Sequence, residues 1–558
     1  MKQEIQDGLA SALLLIAKAN NIPDYKLDQP IELVRSKKSS HGDFASNIAM
    51  RYAKLFKMSP CELADQIVVC VPLMPSVACM EVASPGFINI YLSHDSETRI
   101  LETIYEQGDE YGKHQSPHPL HILLECISLE PPVTPLHAKS GRGLVFGDTL
   151  ANVLRANGHE VKCFFQGEYV LSLAHELTHQ FGERLVYPVD DWLSEPVKDW
   201  TEQEIKVGLE DKFITAAIAG MKAKLGAEDY QRVFAVVLAA MTADMREDLA
   251  GLGVTFDRWC DEILAAGSDK IQESLDILQN KGLLYEQDSA VWFKGTTFGD
   301  QKDRVVKNKD GMATYFASDI ACYYDKYQRG YDLIIDIVDA KHHAYMAKIK
   351  ASVTALGLNP KKLMMILVQF AVLHQHGKKV KISADSDESL ALRALVEAVG
   401  HDAARFFYVM GNPEQSLDFD MDLAASHNKD NPFYYIEYAH ARTCRILEKA
   451  KGNQVEVCAK LGISHRNQLK EKEEKVLLKE LARYPEVVVF AGEQFTAHPI
   501  ANYLRDLAGA WHHYYDSGHK LLHEDESIRS ARLLLTLAVQ QVLRNGLTII
   551  GVKVFDRM

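Results

Sequence analysis

The spacing of apolar and polar positions divides the chain into three regimes. Over residues 1–115 short stretches of helical and strand period alternate. One helical pattern ends before Pro23, another spans 44–57 behind His41-Gly42-Asp43, and a third begins at Ser59-Pro60. Ser59 is placed to cap that third helix, with proline suited to the first helical position. Stretches 66–71 and 80–82 read as strands. Ser84-Pro85-Gly86 then turns the chain into Phe87-Ile88-Asn89-Ile90-Tyr91-Leu92, whose alternation suits an edge or half-buried strand. The first regime therefore predicts a small α+β unit. In the second, over 118–387, apolar runs of strand length (121–127, 159–164, 333–338, 363–368) alternate with helical patterns. That alternation predicts an α/β domain with a parallel sheet. Helical stretches 204–248 and 268–282 read as insertions on it. From 388 to 558 the period is helical almost throughout, which predicts an all-α bundle.

Composition narrows the class. A chain of 558 residues should hold several domains, since single cores stop growing at roughly 250–300 residues. Apolar content of 47% and charged content of 25% are ordinary for a soluble globular protein. No apolar run reaches the roughly 18 residues of a membrane span. Glu4 and Asp7 precede the short apolar patch near the N-terminus and no cleavage-like site follows it, so it reads as an amphipathic helix and not a signal peptide. A cytoplasmic location and no membrane partner are the expectation. The nine cysteines contain no CxxC pair, which indicates neither a zinc site nor a disulfide framework; no metal is expected. The net charge of −14 argues against indiscriminate nucleic-acid binding but leaves room for a local basic face. A monomer is expected, although no sequence feature decides the oligomeric state.

Candidate chemistry concentrates between Glu125 and Asp148. An apolar strand ends in Ser128, a turn rich in proline follows (Pro131, Pro132, Pro135), and Leu136-His137 leads through Gly141-Arg142-Gly143 into a helical pattern from Leu144. A strand, a turn and a helix start present unpaired N–H groups and the positive helix end to an anion. In a parallel sheet the strand ends near Ser128, Phe165 and Val338 would open toward a ligand. Tyr315 and Asp319 lie four apart, on one helix face.

The order of Ser128, the proline turn, Pro135-Leu136-His137, Gly141-Arg142-Gly143 and Gly147-Asp148 resembles the ATP-binding signature of class I aminoacyl-tRNA synthetases, in the arginyl version. The resemblance covers essentially the whole chain. HGDFASNIAM (41–50) and SPGFINIYL (84–92) are similar to the N-terminal additional domain of arginyl-tRNA synthetases, which grips the D-loop corner of tRNA. Phe256-Asp257-Arg258-Trp259 and residues 299–306 match positions of the catalytic domain. Residues 417–424, 431–442, 500–509, 541–547 and Arg557-Met558 resemble the anticodon-binding bundle. The resemblance implies a Rossmann-type catalytic domain between those two, and tRNA of the arginine type as partner. It places Phe87 and Asn89 at the D-loop. It also implies an RNA-facing set of Tyr435, Tyr438, His440, Arg442, Tyr503 and Met558, residue types that stack on and hydrogen-bond splayed bases. Read only as packing, Phe87 would be core, Asn89 a turn residue, and several tyrosines part of the bundle interior.

Activation in that family is attack of the arginine carboxylate on the α-phosphate of ATP, which calls for positioning and for charge stabilisation on the phosphates. The resemblance assigns His137, Lys139, Lys381 and Ser383 to catalysis, His137, Ser140, Gly141, His342 and His343 to ATP, and Ser128, Tyr315 and Asp319 to arginine. The chain departs from the pattern at four places. The family's His-Ile/Val-Gly-His is His137-Ala138-Lys139-Ser140 here, and the preceding turn is one residue longer with Glu130 in place of Asn. An extra carboxylate beside a triphosphate is unfavourable. After 161–165, Gln166 runs directly into Gly167-Glu168-Tyr169-Val170, without the family's Asn-Asp-x-Gly element. Asp310-Gly311 through Asp319 keeps its pattern, but Gly-Ala-Asp-His-His has become Asp339-Ala340-Lys341-His342-His343. In the mobile "KMSK" loop, Lys381-Ile382-Ser383 is followed by Ala384, then Asp385 and Asp387. No lysine lies between Glu125 and His137 to replace the lost one, which leaves Lys139, Lys378 and Lys379 as substitutes. One lost transition-state charge contact costs roughly 3–4 kcal/mol. The expectation is a degenerate arginyl-tRNA synthetase-like protein that keeps tRNA binding with arginine activation impaired or lost, and no tightly bound cofactor. The alternatives are an active arginine–tRNA ligase with variant motifs, taking ATP with Mg2+ as substrate, or a small-molecule binder or other ATP-dependent transferase on the same scaffold.

Overall fold

In the computed structural model, residues 1–22, 30–36, 41–128, 136–167, 226, 232, 242–259, 267–340, 343–380 and 390–554 are described. The first helix, Lys2–Ala19, buries Ile5, Leu9, Ala12, Leu13 and Ile16, a stripe at spacings of three and four. It packs with the helices Ile48–Phe56 and Pro60–Cys70 on an antiparallel sheet of order β1-β2-β4-β3. The strands are β1 (Val34–Arg35), β2 (Phe44–Ser46), β3 (Val77–Ala83) and β4 (Phe87–Leu92). Ser59 caps as its sequence suggests. Its side chain accepts from the Glu62 N–H while the Glu62 carboxylate accepts from the Ser59 N–H, a reciprocal capping box. Two expectations fail here. Residues 66–70 continue the capped helix, because Leu63, Ala64 and Ile67 form a helical stripe toward the core. The helix after Gly42 starts at Ile48 and not at Phe44, because Phe44–Ser46 pairs with β4. Of the two alternatives for 87–92 the half-buried strand is the one found, β4 being bonded to β2 on one side and β3 on the other.

The parallel sheet appears in the predicted strands. β5 (His121–Ser128), β6 (Glu160–Gly167), β10 (Leu333–Asp339) and β11 (Leu363–Val368) form the order β11-β10-β5-β6. Their near-continuous apolar runs follow from burial on both faces. Ile122 and Leu124 join the core under the helix Ala138–Ala156, whereas Leu123 joins a second core under the helices Tyr315–Gln328 and His343–Leu356. A small antiparallel sheet of β7 (Leu284–Gln287), β8 (Ala290–Phe293) and β9 (Arg304–Lys307) was not anticipated. Of the expected helical insertions, Gly267–Asn280 is present and residues 242–250 are helical; most of 204–241 lies outside the described residues. The C-terminal regime is helical as expected, with helices Pro432–Gly452, Lys472–Glu493, His498–Asp516 and Glu526–Ile549 closing over Trp511 and Tyr514. Its exception is β14 (Leu417–Asp420), which pairs in parallel with β12 (Ala371–Gln375), itself joined to β13 (Lys378–Lys379). No helix among the described residues is long and apolar enough to cross a membrane.

Arg405, wholly buried, joins the sheet domain to the bundle. It pairs with Asp148 at 2.5 Å and donates to the carbonyls of Leu252 (2.6 Å) and Ile550 (3.2 Å). Gly551 accommodates it by having no side chain; a Cβ there would sit 2.1 Å from the guanidinium, and its φ of +74° favours glycine independently. On the opposite flank Arg35 pairs with Glu486 at 3.0 Å, and Lys479 with Asp43 at 2.7 Å, fastening the N-terminal sheet to the helix Lys472–Glu493.

A buried charge cluster lies at the centre of the parallel sheet. Glu125 on β5 and Asp336 on β10 stand directly across from one another in the register. Lys326 bonds to Glu125 and lies 3.6 Å from Asp336, and Tyr323 donates to Asp336. Burial raises the pKa of both carboxyls against the pull of the lysine. Burial also opposes the Lys326 charge, but Asp336 and Glu125 outweigh it and hold its pKa up. Removing the cation strands two acids in an apolar sheet. Lys326→Met should therefore lower the free energy of unfolding by about 3–5 kcal/mol, read from urea titrations with unchanged slope. A loss under 1 kcal/mol would mean that the carboxyls are neutralised by protonation without Lys326.

Candidate functional site

The carboxyl ends of β5, β6, β10 and β11 point the same way, so the site is built from the segments that leave them. His137 is the N-cap of the helix Ala138–Ala156, and its side chain makes no capping bond. Its backbone pairs with Ala391; Ala138 N–H donates to the Leu390 carbonyl (3.0 Å) and Leu392 N–H to that of Leu136 (2.6 Å). The His turn is thereby sewn to the residues that follow 381–389. Lys381 and Ser383 lie outside the described residues.

Gly141-Arg142-Gly143 does not precede the helix, as the pattern from Leu144 suggested, but lies inside it. The helix begins at Ala138, ahead of Leu144, so all three residues are helical. Gly141 is buried for close approach: a Cβ would meet Leu392 at 2.7 Å and the Tyr408 hydroxyl at 3.0 Å. That hydroxyl donates to the Ala138 carbonyl at 2.5 Å. Arg142 is 1% exposed and donates to the carbonyls of Gln369 (2.9 Å), Gln415 (2.6 Å) and Asn412 (2.8 Å). Burial lowers its pKa to about 10, which still leaves it charged at neutral pH. Its guanidinium thus holds two loops together. Lys139, half-buried, sets its ammonium 5.1 Å from the centre of the Phe370 ring, a cation–π contact beside the same loop. Ser140 donates its N–H to the His137 carbonyl at 3.1 Å.

On the other side of the sheet, Thr314 caps the helix that carries Tyr315 and Asp319. Tyr315 is 45% exposed and Asp319 only 3%. The Asp319 carboxylate receives Lys348 Nζ at 3.0 Å and the Tyr345 hydroxyl at 3.2 Å, both from the helix His343–Leu356. Sequence reading missed Lys348, and nothing in the local pattern marks it: the pairing joins residues 29 apart on two helices. Ser128 ends β5 opposite Gly167 of β6. His343 opens its helix; His342 lies outside the described residues.

The nucleic-acid candidates divide by exposure. Phe87, exposed, and Asn89, buried, alternate with the core residues Ile88 and Ile90 and so share the outer face of β4. On the bundle, ring pairs run His427–Tyr434 (5.5 Å), Tyr434–Tyr438 (6.1 Å) and Tyr438–His512 (5.5 Å), all near-parallel, with Tyr435 packed against His512 at 4.5 Å. The Arg442 guanidinium lies 4.7 Å over Tyr438 and 4.2 Å over Tyr515. His427, Tyr434, His512 and Tyr515 complete a ladder of which sequence reading had only part. His440 and Tyr503 depart from expectation: both are core residues, His440 beside Cys444 and Tyr503 donating to the Glu480 carbonyl at 3.0 Å. Each falls on the inward stripe of its helix, so neither presents an edge to a base. Met558 lies outside the described residues.

Comparison with known proteins places this architecture. Residues 101–407 match the family model of class I (R) tRNA synthetase catalytic domains, residues 1–92 that of the arginyl tRNA synthetase N terminal domain, and residues 436–558 that of the DALR anticodon binding domain. The chain belongs to the arginyl-tRNA synthetase family. It is 51% identical to "Arginine--tRNA ligase" of Dichelobacter nodosus and 38% identical to that of Acinetobacter baumannii, in both cases over the full length of both chains. The arginyl-tRNA synthetase structure from Thermus thermophilus matches the whole chain with a TM-score of 0.72 at 19% identity, a likeness of fold.

In this arginyl-tRNA synthetase family member the ladder helix Pro432–Gly452 also carries an ionisable group under strain. Burial, with Asp402 adding, pushes the Glu437 carboxyl from 4.5 to about 7. A folded-state pKa raised in this way favours the fold below the ordinary value, and that contribution is lost as pH rises through about 7. Glu437→Gln should therefore differ from the parent by less than about 1 kcal/mol at pH 5 and be clearly more stable at pH 8. The gain should be about 1–3 kcal/mol after solvent screening, measured by thermal unfolding at the two pH values. Equal stability at pH 8 would contradict the shift.

Proposed function

We propose that this protein is a tRNA-binding member of the arginyl-tRNA synthetase family in which arginine activation is impaired or lost. Its units are 1–115 for the D-loop corner, 118–387 for the altered catalytic fold and 388–558 for the anticodon loop. The observation that carries the reading is the fate of the cations at the nucleotide end. The closing lysine position is Ala384, Arg142 is consumed by three carbonyls, and Lys139 stands where the family pattern has glycine, its ammonium over Phe370. An in-line displacement at phosphate depends on charge stabilisation of this kind, and each missing contact removes roughly 3–4 kcal/mol. The alignment with the Dichelobacter nodosus relative runs over 593 positions against 558 residues here, which supports loss of a segment from this chain. Retained RNA binding is supported by the half-buried aromatic ladder with Arg442, residue types that suit unstacked bases.

The rival reading, an active arginine–tRNA ligase, is favoured by the 51% identity over the full length of a relative that bears that name. Under it His137, Lys139 and Lys381 would meet the phosphates of ATP with Mg2+, and Tyr315 with Asp319 would meet arginine.

The deciding measurement is arginine-dependent pyrophosphate exchange with tRNA for arginine present, alongside titration of the same preparation with labelled tRNA. Exchange at the level of the no-enzyme control, together with sub-micromolar tRNA binding, is expected. Tyr438→Ala should weaken that binding roughly fivefold or more, since each stacked base contributes about 1–3 kcal/mol. Exchange well above the control would overturn the reading in favour of the ligase.

A further inference from the structure

The surroundings of Asp319 form a seat for one cation, and the chain fills it itself. The carboxylate is almost wholly buried, with one oxygen bonded to Lys348 Nζ at 3.0 Å and the other to the Tyr345 hydroxyl at 3.2 Å. The same ammonium lies 4.5 Å from the centre of the Tyr345 ring and 5.3 Å from that of Phe316. A carboxylate and two aromatic faces converge on a single positive charge, a combination that binds ammonium and guanidinium groups. The lysine side chain is about one-fifth exposed, so its stem lies along the seat with a route to solvent.

We propose that Lys348 is a tethered occupant of this seat, competing with any external organic cation, L-arginine first among them. The inference rests on the reading above, in which the scaffold survives and the amino-acid site has changed. A guanidinium arriving at Asp319 would meet a like charge in a poorly solvated place, and one carboxylate does not neutralise two cations. Entry therefore requires the Lys348 ammonium to swing out toward water. Because the tether keeps the ammonium at high effective concentration, the external ligand pays for that displacement in affinity.

The test compares the full-length protein with Lys348→Met, Lys348→Arg and Asp319→Asn. Binding of L-arginine, agmatine and the neutral isostere L-citrulline is followed by calorimetry, and folding by circular dichroism and thermal unfolding. Lys348→Met keeps the stem and removes the charge. It should bind arginine and agmatine at least tenfold more tightly than the parent, show no gain for citrulline, and be stabilised against heat by arginine. Lys348→Arg restores a tethered cation and should bind like the parent; Asp319→Asn should lose arginine binding. Folded Lys348→Met protein with no gain in guanidinium affinity would overturn the proposal, as would an equal gain for citrulline. If Lys348→Met does not fold, the decision passes to the arginine-induced thermal shift of Lys348→Arg against the parent: equal shifts support a tethered cation, and a larger shift in Lys348→Arg rejects it. Pyrophosphate exchange by the parent would sink the non-activating reading alone. The affinity series across the variants judges the role of Lys348 whichever way that exchange falls.

Discussion

Lys326 sits where two acids would otherwise face each other across adjacent parallel strands. Glu125 and Asp336 are paired in register in the middle of an apolar sheet, a juxtaposition that is tolerable only with a cation between them. That cation comes from the helix Tyr315–Gln328, so the ion cluster fixes how the helix lies on the sheet. Asp319, Tyr323 and Lys326 follow one another at spacings of four and three, along a single stripe. The interaction that sets the helix on β5 and β10 therefore also sets the depth and direction of Asp319. The seat around that residue depends on the sheet centre as much as on its own neighbours.

The other cationic groups near the strand ends are committed in the same manner. Arg142 reaches carbonyls 227 to 273 residues away and makes one body of the His137 helix, the end of β11 and the turn before β14. Arg405 performs the equivalent task between that helix, through Asp148, and the last turn of the bundle. A buried guanidinium carries five donors in a rigid fork and must satisfy them, which makes it an effective clamp and removes it from ligand chemistry. Among the described residues, positive charge near the strand ends is thus largely spent on architecture.

Much of the fold was legible from period alone. Strands buried on both faces read as apolar runs, the Ser59 cap announced itself with Glu62 three residues on, and the bundle kept a helical stripe over most of its length. The misreadings share a cause. Residues 66–70 and Phe44–Ser46 are short apolar stretches compatible with either period, and pairing decided them: β4 offered Phe44–Ser46 a partner, whereas 66–70 had a capped helix to extend. Gly141-Arg142-Gly143 was read as the approach to a helix from Leu144, yet it lies within the helix, where Gly141 marks close approach to Leu392 and Tyr408. The stripe Ala138, Gly141, Arg142, Val145, Thr149 already placed the arginine on the buried face.

By itself the sequence determined the parallel sheet, the helical C-terminal regime and the order of the family's motifs, because period and residue identity are local properties. The tertiary structure alone decided which charged side chains remain available. Lys348 opposite Asp319, Arg142 against distant carbonyls, and His440 and Tyr503 turned into the bundle are all set by contacts between residues remote in sequence. A long cationic side chain, or a tyrosine that tolerates either environment, takes the partner that burial presents to it. That partner exists only once the helices have packed.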